Sequence, residues 1–300
     1  MFELRGVKHS LLKRINDLIG DQDQSCAEVS ATIIGSHEIL NPETCRWGNK
    51  VKPEDTITGA SQTSLADLLG SEYKSTPHPL LGFTYDEVIG CKANLFVSFA
   101  YSMKYSSFVS ILEEFISNTP GFSLESTYLW VDFVVNNQWV AIDKSFEWWS
   151  TTFMTAIGDI GFTCVVFDKY RDCYYLKRAW CLWEAYCSVK SNAKIEIALS
   201  SDERQKLFDA VSYAAEYCYH TGRSSSNIHE YNIDFQKADC FVPSDKENIF
   251  NAVTLGIGFS SINKIIADTI DKNLTIPREL IEAKFYCQDF DYDDCDDDHE

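Results

Sequence analysis

The residues in this sequence best suited to chemistry surround one carboxylate, Glu184. A run rich in aromatic and sulfur-bearing side chains begins at Arg178 and sets Glu184 beside Trp180 and Trp183. On a helix, this spacing puts Glu184 on the shoulder of the element, flanked by indoles. A carboxylate that loses hydration in such surroundings has a raised pKa and interacts readily with a developing cation. The alternative is a solvated glutamate one turn from Lys177 or Arg178.

A second group of candidates follows two apolar runs that have the pattern of buried strands. Asp132 ends one of these runs. The end of the other run and the residues that follow it are Ser98, Phe99, Ala100 and Tyr101. In an open parallel sheet, the loops at the carboxyl ends of the strands form the ligand crevice, so both groups are expected to line a pocket. The alternative for Asp132 is a side chain that caps the turn after its strand.

The elements that must position these residues alternate between short apolar runs and amphipathic helices from residue 92 onward, which predicts an α/β sheet. Strands are predicted near residues 94–98, 128–132, 162–167, 194–199 and 231–234. Two of the helices matter for the pocket, one carrying Trp149 and Phe153 and the other spanning about 176–189. The pattern favours a doubly wound parallel sheet of about five strands in the order 2-1-3-4-5.

The chain divides into three predicted parts. Residues 1–85 form an accessory segment with a helix near Leu11 to Ile19 and a short capped helix that begins near Thr63. Residues 86–270 form the α/β domain, and 271–300 form an acidic tail that we expect to be disordered. Eight acids and no Lys or Arg lie between Asp289 and Glu300.

Composition excludes several classes of function. The formal net charge of -19 repels a phosphate backbone, so no nucleic acid partner is expected. No apolar run is long enough to span a membrane, and the first residues lack a signal peptide, so we expect neither a membrane association nor export. The 11 cysteines show no C-x-x-C pair and no metal-ligand spacing with His, which favours a cytoplasmic protein without a disulfide framework or a metal.

Common catalytic motifs are missing from the sequence. Gly256-Ile257-Gly258 lacks the third glycine and the preceding strand of a dinucleotide fingerprint, and the chain has no P-loop. It also has no G-x-S-x-G elbow, so no hydrolase serine is nominated. Cys181 and Cys187 lie on an apolar helix and are interpreted as packing residues.

Several segments together resemble a TIR-like domain, over about residues 63–270. They are Leu95-Phe96-Val97-Ser98, Leu129-Trp130-Val131-Asp132-Phe133 with Asn136-Asn137-Gln138, Phe146-Glu147-Trp148-Trp149, and Arg178-Ala179-Trp180-Cys181-Leu182-Trp183-Glu184. More closely, the chain is similar to the module at the amino terminus of protist and algal proteins that continue into tetratricopeptide or kinesin-light-chain-like repeats. Such modules usually have Ser-His-Ala-Trp after the first strand, whereas this chain has Ser98-Phe99-Ala100-Tyr101.

The resemblance implies a flavodoxin-like fold and a function. Its W-C-x-x-E motif puts Glu184 where catalytic TIR domains keep the glutamate that cleaves NAD. The implied activity is an NAD glycohydrolase with NAD as substrate and no further cofactor. Glu184 would stabilise the ribosyl cation, and the residues expected to line the pocket or stack on the substrate are Ser98, Phe99, Ala100, Tyr101, Asp132, Trp149 and Trp180.

The resemblance also implies an alternative without catalysis. Many TIR-like domains act as adaptors that self-associate or bind other TIR-like or repeat proteins, which needs no catalytic glutamate. A third hypothesis is an oligomeric scaffold whose acidic tail recruits basic partners. TIR-like pockets are often completed by a neighbouring chain, so a homo-oligomer is expected in the first two cases.

Overall fold

The computed structural model describes residues 4–20, 23–36, 38–41, 46–50, 53–140, 145–221, 231, 233–274 and 276. Within these residues the chain is an α/β protein built on a six-stranded, mostly parallel sheet with helices on both faces. The strands are β1 (Gly6–Val7), β2 (Glu38–Asn41), β3 (Arg46–Lys50), β4 (Ile89–Gly90), β5 (Leu95–Phe99), β6 (Leu129–Trp130), β7 (Phe162–Val166) and β8 (Lys194–Ala198).

The α-helices are α1 (His9–Ile19), α2 (Cys26–Val29), α3 (Leu65–Glu72), α4 (Tyr85–Val88), α5 (Tyr105–Asn118), α6 (Asp132–Val135), α7 (Phe146–Ile160), α8 (Ala179–Lys190), α9 (Ser201–Thr221), α10 (Pro243–Leu255) and α11 (Phe259–Leu274). A π-helical turn spans Ser30–Gly35, and 3-10 turns span Pro53–Asp55, Tyr174–Lys177 and Phe235–Lys237.

The six strands of the main sheet follow the order β4-β1-β6-β5-β7-β8. The four strands β6, β5, β7 and β8 are parallel neighbours, which confirms the predicted strands near 94–98, 128–132, 162–167 and 194–199 and their relative order. The strand β1 is antiparallel to both β4 and β6. The strands β2 and β3 pair with each other in a separate antiparallel sheet.

The prediction of a strand over residues 231–234 is wrong for the part of this segment that the structure describes. Tyr231, Ile233 and Asp234 have no strand geometry, and a 3-10 turn follows them. Ile233 and Phe235 are both buried, and the Phe235 N–H donates to the Asn263 side chain at 3.0 Å. The alternation that suggested a strand therefore comes from packing against α11.

The N-terminal segment contributes to the main sheet and to its core. The strand β1 lies between β4 and β6, and Val7, Leu12 and Ile15 are fully buried in the cluster that also contains α5. Gly6 is opposite Gly90, and a Cβ on either glycine would come within 3.0 Å of Tyr128. Glycine at these two positions is what allows the strands to approach the tyrosine.

The central strand β5 has both of its faces buried. Val97 and Phe99 pack in the cluster with α1 and α5, whereas Phe96 and Ala100 pack in the cluster with α7, α8, α10 and α11. Because successive side chains of a strand point to opposite faces, Ser98 shares the face of Phe96 and Ala100, toward α8. This alternation positions Ser98 to meet residues of α8.

Some predictions fall outside the described residues, among them most of the acidic tail predicted over 271–300. Its first residues, 271–274, belong to α11 and are not disordered, and the part from residue 277 onward lies outside the described residues. Among the described residues, no single helix has both the length and the apolar character of a membrane crossing. The helices α10 and α11, which meet at a bend of 96°, pass that test only when taken as a pair.

Candidate functional site

The helix α8 is fixed against the sheet by a buried polar contact, and this contact orients Glu184. The Ser188 and Thr163 hydroxyl oxygens lie 2.9 Å apart between α8 and β7, and the Ser188 hydroxyl also donates to the Glu184 carbonyl at 2.8 Å. Glu184 and Ser188 are four residues apart, so they lie on the same face of the helix. Glu184 is thereby turned toward the sheet.

The carboxyl of Glu184 meets the end of the central strand. A short hydrogen bond joins Oε2 of Glu184 to Oγ of Ser98, which is completely buried. Oγ of Ser98 also lies 2.8 Å from the Tyr175 hydroxyl oxygen, and that hydroxyl donates to the Cys181 carbonyl at 2.8 Å. The interpretation of Glu184 as a solvated surface residue is therefore wrong. The sequence predicts that Glu184 and Ser98 share a site, and the structure brings them together.

A second carboxylate lies in the loops beside this contact. The Tyr101 hydroxyl donates to Oδ2 of Asp132 at 2.5 Å, and the Asn136 side-chain amide donates to Oδ1. Asp132 is the first residue of α6. Within the described part of the chain, no backbone N–H donates to its carboxylate. The side chain of Asp132 thus joins the loop after β5 to the end of α6, and it does not cap a backbone N–H of its own turn.

The electrostatics connect the two carboxylates. Burial raises the pKa of Glu184 to about 8, with the Ser98 hydrogen bond opposing this shift and the charge of Asp132 adding to it. Burial also raises the pKa of Asp132, although the hydrogen bonds from Tyr101 and Asn136 lower it. The pKa of Tyr101 is raised well above its ordinary value by burial and by the charges of Asp132 and Glu184, among others. The two carboxylates and Tyr101 therefore belong to one electrostatic unit.

Phe99 and Ala100 shape this site through packing. Phe99 stacks on Tyr101 at 5.4 Å between ring centroids and contacts Phe133 edge-on at 5.6 Å, so it supports the tyrosine that binds Asp132. The Phe99 carbonyl accepts a weak hydrogen bond from the Cys181 thiol at 3.5 Å. Ala100 is buried in the cluster on the α8 side of the sheet.

The two tryptophans predicted to contact a substrate are placed differently. The Trp180 indole N–H donates to Asp245 at 3.1 Å, and its ring packs against Phe146 and Phe153 of α7. These contacts fix Trp180 among α7, α8 and α10, and none of them joins it to Glu184. The backbone of Trp149 lies in α7, but its side chain is outside the described part of the structure.

Tyr175 is the site residue that the sequence reasoning missed. It belongs to the 3-10 turn before α8 and lies 77 residues from Ser98 in the chain. Nothing in the spacing distinguishes it from the adjacent Tyr174. The sequence reasoning named Asn136 only within a segment that resembles TIR-like domains, and it assigned that residue no contact with Asp132.

Within the described residues, no group of three or more His, Cys, Asp or Glu side chains is arranged to hold a metal ion.

Comparison of the chain with family models, with curated proteins and with solved structures finds no match.

Proposed function

We propose that this chain is a TIR-like signalling domain of flavodoxin-like fold that cleaves the nicotinamide–ribose bond of NAD, with Glu184 as the catalytic residue. The observation that carries the proposal is the contact of Glu184 with Ser98 at the carboxyl end of β5, beside the Tyr101–Asp132 pair. This edge of a parallel sheet is where ligands bind in open α/β folds. The W-C-x-x-E motif supports the family assignment.

The proposed reaction needs few groups from the protein. The bond between the ribose C1′ and the nicotinamide ring nitrogen breaks, and its electron pair leaves with neutral nicotinamide. The ribosyl fragment is left as an oxocarbenium-like cation, which the ionised carboxylate of Glu184 stabilises. Attack by water on C1′ then gives ADP-ribose and releases one proton.

The free oxygen of Glu184 suits this role. Oε2 is engaged by Ser98, whereas Oε1 accepts no hydrogen bond from any residue in the described part of the chain. Glu184 also keeps partial exposure to solvent. One carboxylate oxygen is thereby available to a ribose hydroxyl or to the cation, while the other is held in place.

Asp132 and Tyr101 are proposed to form the wall of the same pocket. Their mutual hydrogen bond, together with that of Asn136, holds the loop after β5 against α6. Phe99 and Ala100 support this wall from the two faces of the sheet. Trp149 stays a predicted stacking partner, and the contacts of Trp180 favour a supporting role for that residue.

The test is nicotinamide release from NAD by the purified chain, both as isolated and after fusion to a domain that dimerises it. We expect the dimerised wild-type protein to release nicotinamide and Glu184→Gln to lose about a hundredfold or more of that rate. The matched control is Glu125→Gln, the same substitution at an exposed position, which should keep the wild-type rate.

Equal background release by the wild type and by Glu184→Gln, with and without dimerisation, would rule out the enzyme. The non-catalytic self-association module would then stand as the proposed function, with a second copy of the chain or another TIR-like or repeat protein as partner. The cytoplasmic location and the lack of nucleic acid partners stay predictions from the sequence.

A further inference from the structure

Three oxygen-to-oxygen contacts run in series from Glu184 into the interior. They join Glu184 Oε2 to Ser98 Oγ, Ser98 Oγ to the Tyr175 hydroxyl, and the Tyr175 hydroxyl to the Cys181 carbonyl oxygen. No other hydrogen bond involves the two hydroxyls within the described part of the chain. The carbonyl can only accept, so the number of protons available to this series can be counted.

Each of the three contacts requires one proton. Ser98 and Tyr175 supply one each, and an ionised Glu184 supplies none. With Glu184 ionised, two protons serve three contacts, and one pair of oxygens faces each other without a hydrogen between them. With Glu184 protonated, its O–H donates to Ser98, Ser98 donates to Tyr175, and Tyr175 donates to the Cys181 carbonyl. Only the protonated form satisfies every contact.

We propose that Tyr175 is a positioning residue that acts through Ser98 to keep the carboxyl of Glu184 protonated in the unliganded protein. The Tyr175 hydroxyl oxygen accepts the one proton that Ser98 can donate. Ser98 can therefore donate to the Glu184 carboxylate only by giving up its hydrogen bond to Tyr175. The resting site therefore holds Glu184 in the form that does not stabilise a cation. The consequence for catalysis rests on the proposed function, whereas the proton state of Glu184 does not.

The groups around Glu184 favour the same state. The titratable side chains that face it from β6–α6, from the loop after β5, from the 3-10 turn and from α8 itself are Asp132, Tyr101, Tyr175, Cys181 and Cys187. Each of these side chains is neutral when protonated and negative when deprotonated, so none of them carries a positive charge that would favour the ionised carboxylate. Within the described residues, Glu184 forms no ion pair, and no cation is among the groups that shift its pKa.

The two hydroxyls of the series have opposite expected effects. Tyr175→Phe removes the competing acceptor, and Ser98 then donates freely to the carboxylate, so Glu184 should ionise at a lower pH, by about one unit. Ser98→Ala removes the hydrogen bond that lowers the pKa of Glu184, so ionisation should require a higher pH. A merely structural role for Tyr175 predicts no such pair of opposite shifts.

The experiment is an infrared titration of the full chain from about pH 5 to 10, which follows the C=O stretch of the protonated carboxyl and is assigned through its loss in Glu184→Gln. Tyr175→Phe keeps the ring and its contact with Phe167, 5.4 Å away between centroids, so the fold is expected to persist. The matched control is Tyr186→Phe, the same change on α8 at a residue that makes no hydrogen bond to Ser98 or Glu184. That control should leave the midpoint unchanged.

The titration separates this proposal from the proposed function. A wild-type midpoint near that of an ordinary glutamate, or a midpoint that Tyr175→Phe leaves in place, overturns the role of Tyr175 whether or not NAD is cleaved. If the midpoint shifts as expected and no nicotinamide is released, the proposed function fails and the role of Tyr175 stands. If both hold, Tyr175→Phe should release nicotinamide about fivefold faster than the wild type at about pH 7, because a larger fraction of Glu184 is ionised.

Discussion

Glu184 and Asp132 reach the same edge of the sheet from two different helices, α8 and α6, and the charge of Asp132 raises the pKa of Glu184. The two carboxyls bind different partners, since Ser98 contacts Glu184 while Tyr101 and Asn136 donate to Asp132. Tyr101 and Asn136 donate to Asp132 and favour its ionised form, whereas Ser98 is the one side chain that is hydrogen-bonded to the Glu184 carboxyl within the described residues. The two acids are therefore coupled, and loss of the Asp132 charge is expected to move the pKa of Glu184.

Asp132→Asn should therefore make Glu184 ionise more readily. The substitution removes the negative charge that opposes ionisation and keeps a side chain of the same shape, so the midpoint of Glu184 should fall by about one pH unit or less. The infrared titration described above measures this directly. A midpoint that stays in place would show that the Asp132 charge does not act on Glu184.

Glu184→Gln should stabilise the protein at alkaline pH. The folded state raises the pKa of Glu184 to about 8, so the native protein holds a proton that the unfolded chain has already lost. Stability due to this group is therefore complete below the ordinary pKa of a glutamate and is lost as the pH rises toward 8. The amide of glutamine can donate to Ser98 at every pH, so the variant avoids this loss.

The expected gain from Glu184→Gln is about 2 to 4 kcal/mol in the free energy of unfolding near pH 9, shrinking to near zero by about pH 4. Thermal unfolding at both pH values measures it, with about 2 to 4 °C in Tm for each kcal/mol. Glu125→Gln, at an exposed position, should show no pH-dependent gain. An equal effect of Glu184→Gln at both pH values would contradict the raised pKa.

The Tyr101–Asp132 hydrogen bond should couple the loop after β5 to α6. We expect a coupling free energy of about 1.5 to 3 kcal/mol in a double-mutant cycle of Tyr101→Phe and Asp132→Asn, as for a hydrogen bond to a charged group. Urea unfolding of the wild type, both single variants and the double variant gives this quantity. Strictly additive single effects would mean that the contact contributes nothing to stability.

The sequence predicted the parallel strands and the meeting of Glu184 with Ser98 because these depend on strong local patterns. Buried apolar runs defined β5 to β8, and the ends of parallel strands must share one edge of the sheet. The two-residue strands β1 and β4 are too short to produce a recognisable alternation. Their pairing depends on glycines opposite each other, at Gly6 and Gly90, which no local pattern reveals.

The role of Tyr175 could not be predicted for a related reason. Its contact with Ser98 joins residues far apart in the sequence, and a tyrosine before an aromatic-rich helix has many packing solutions. The failed strand near residue 231 shows the converse, because burial of Ile233 and Phe235 reproduced an alternating pattern without a neighbouring strand. Periodicity reports which side chains are buried, and it does not report what covers them.

The position of α1 in the main core leads to the last prediction, which concerns Leu12. This leucine is fully buried in the cluster shared with α5, and its carbonyl accepts the Tyr105 hydroxyl at 3.1 Å. Leu12→Ala should therefore lower the free energy of unfolding of the whole protein by about 2 to 5 kcal/mol, measured by urea unfolding with tryptophan fluorescence as the probe. Leu80→Ala, at a side chain that is 54% exposed, is the matched control and should change it by about 0.5 kcal/mol or less. If residues 1–85 folded as an independent accessory segment, Leu12→Ala would instead produce a separate early transition and leave the main one unchanged.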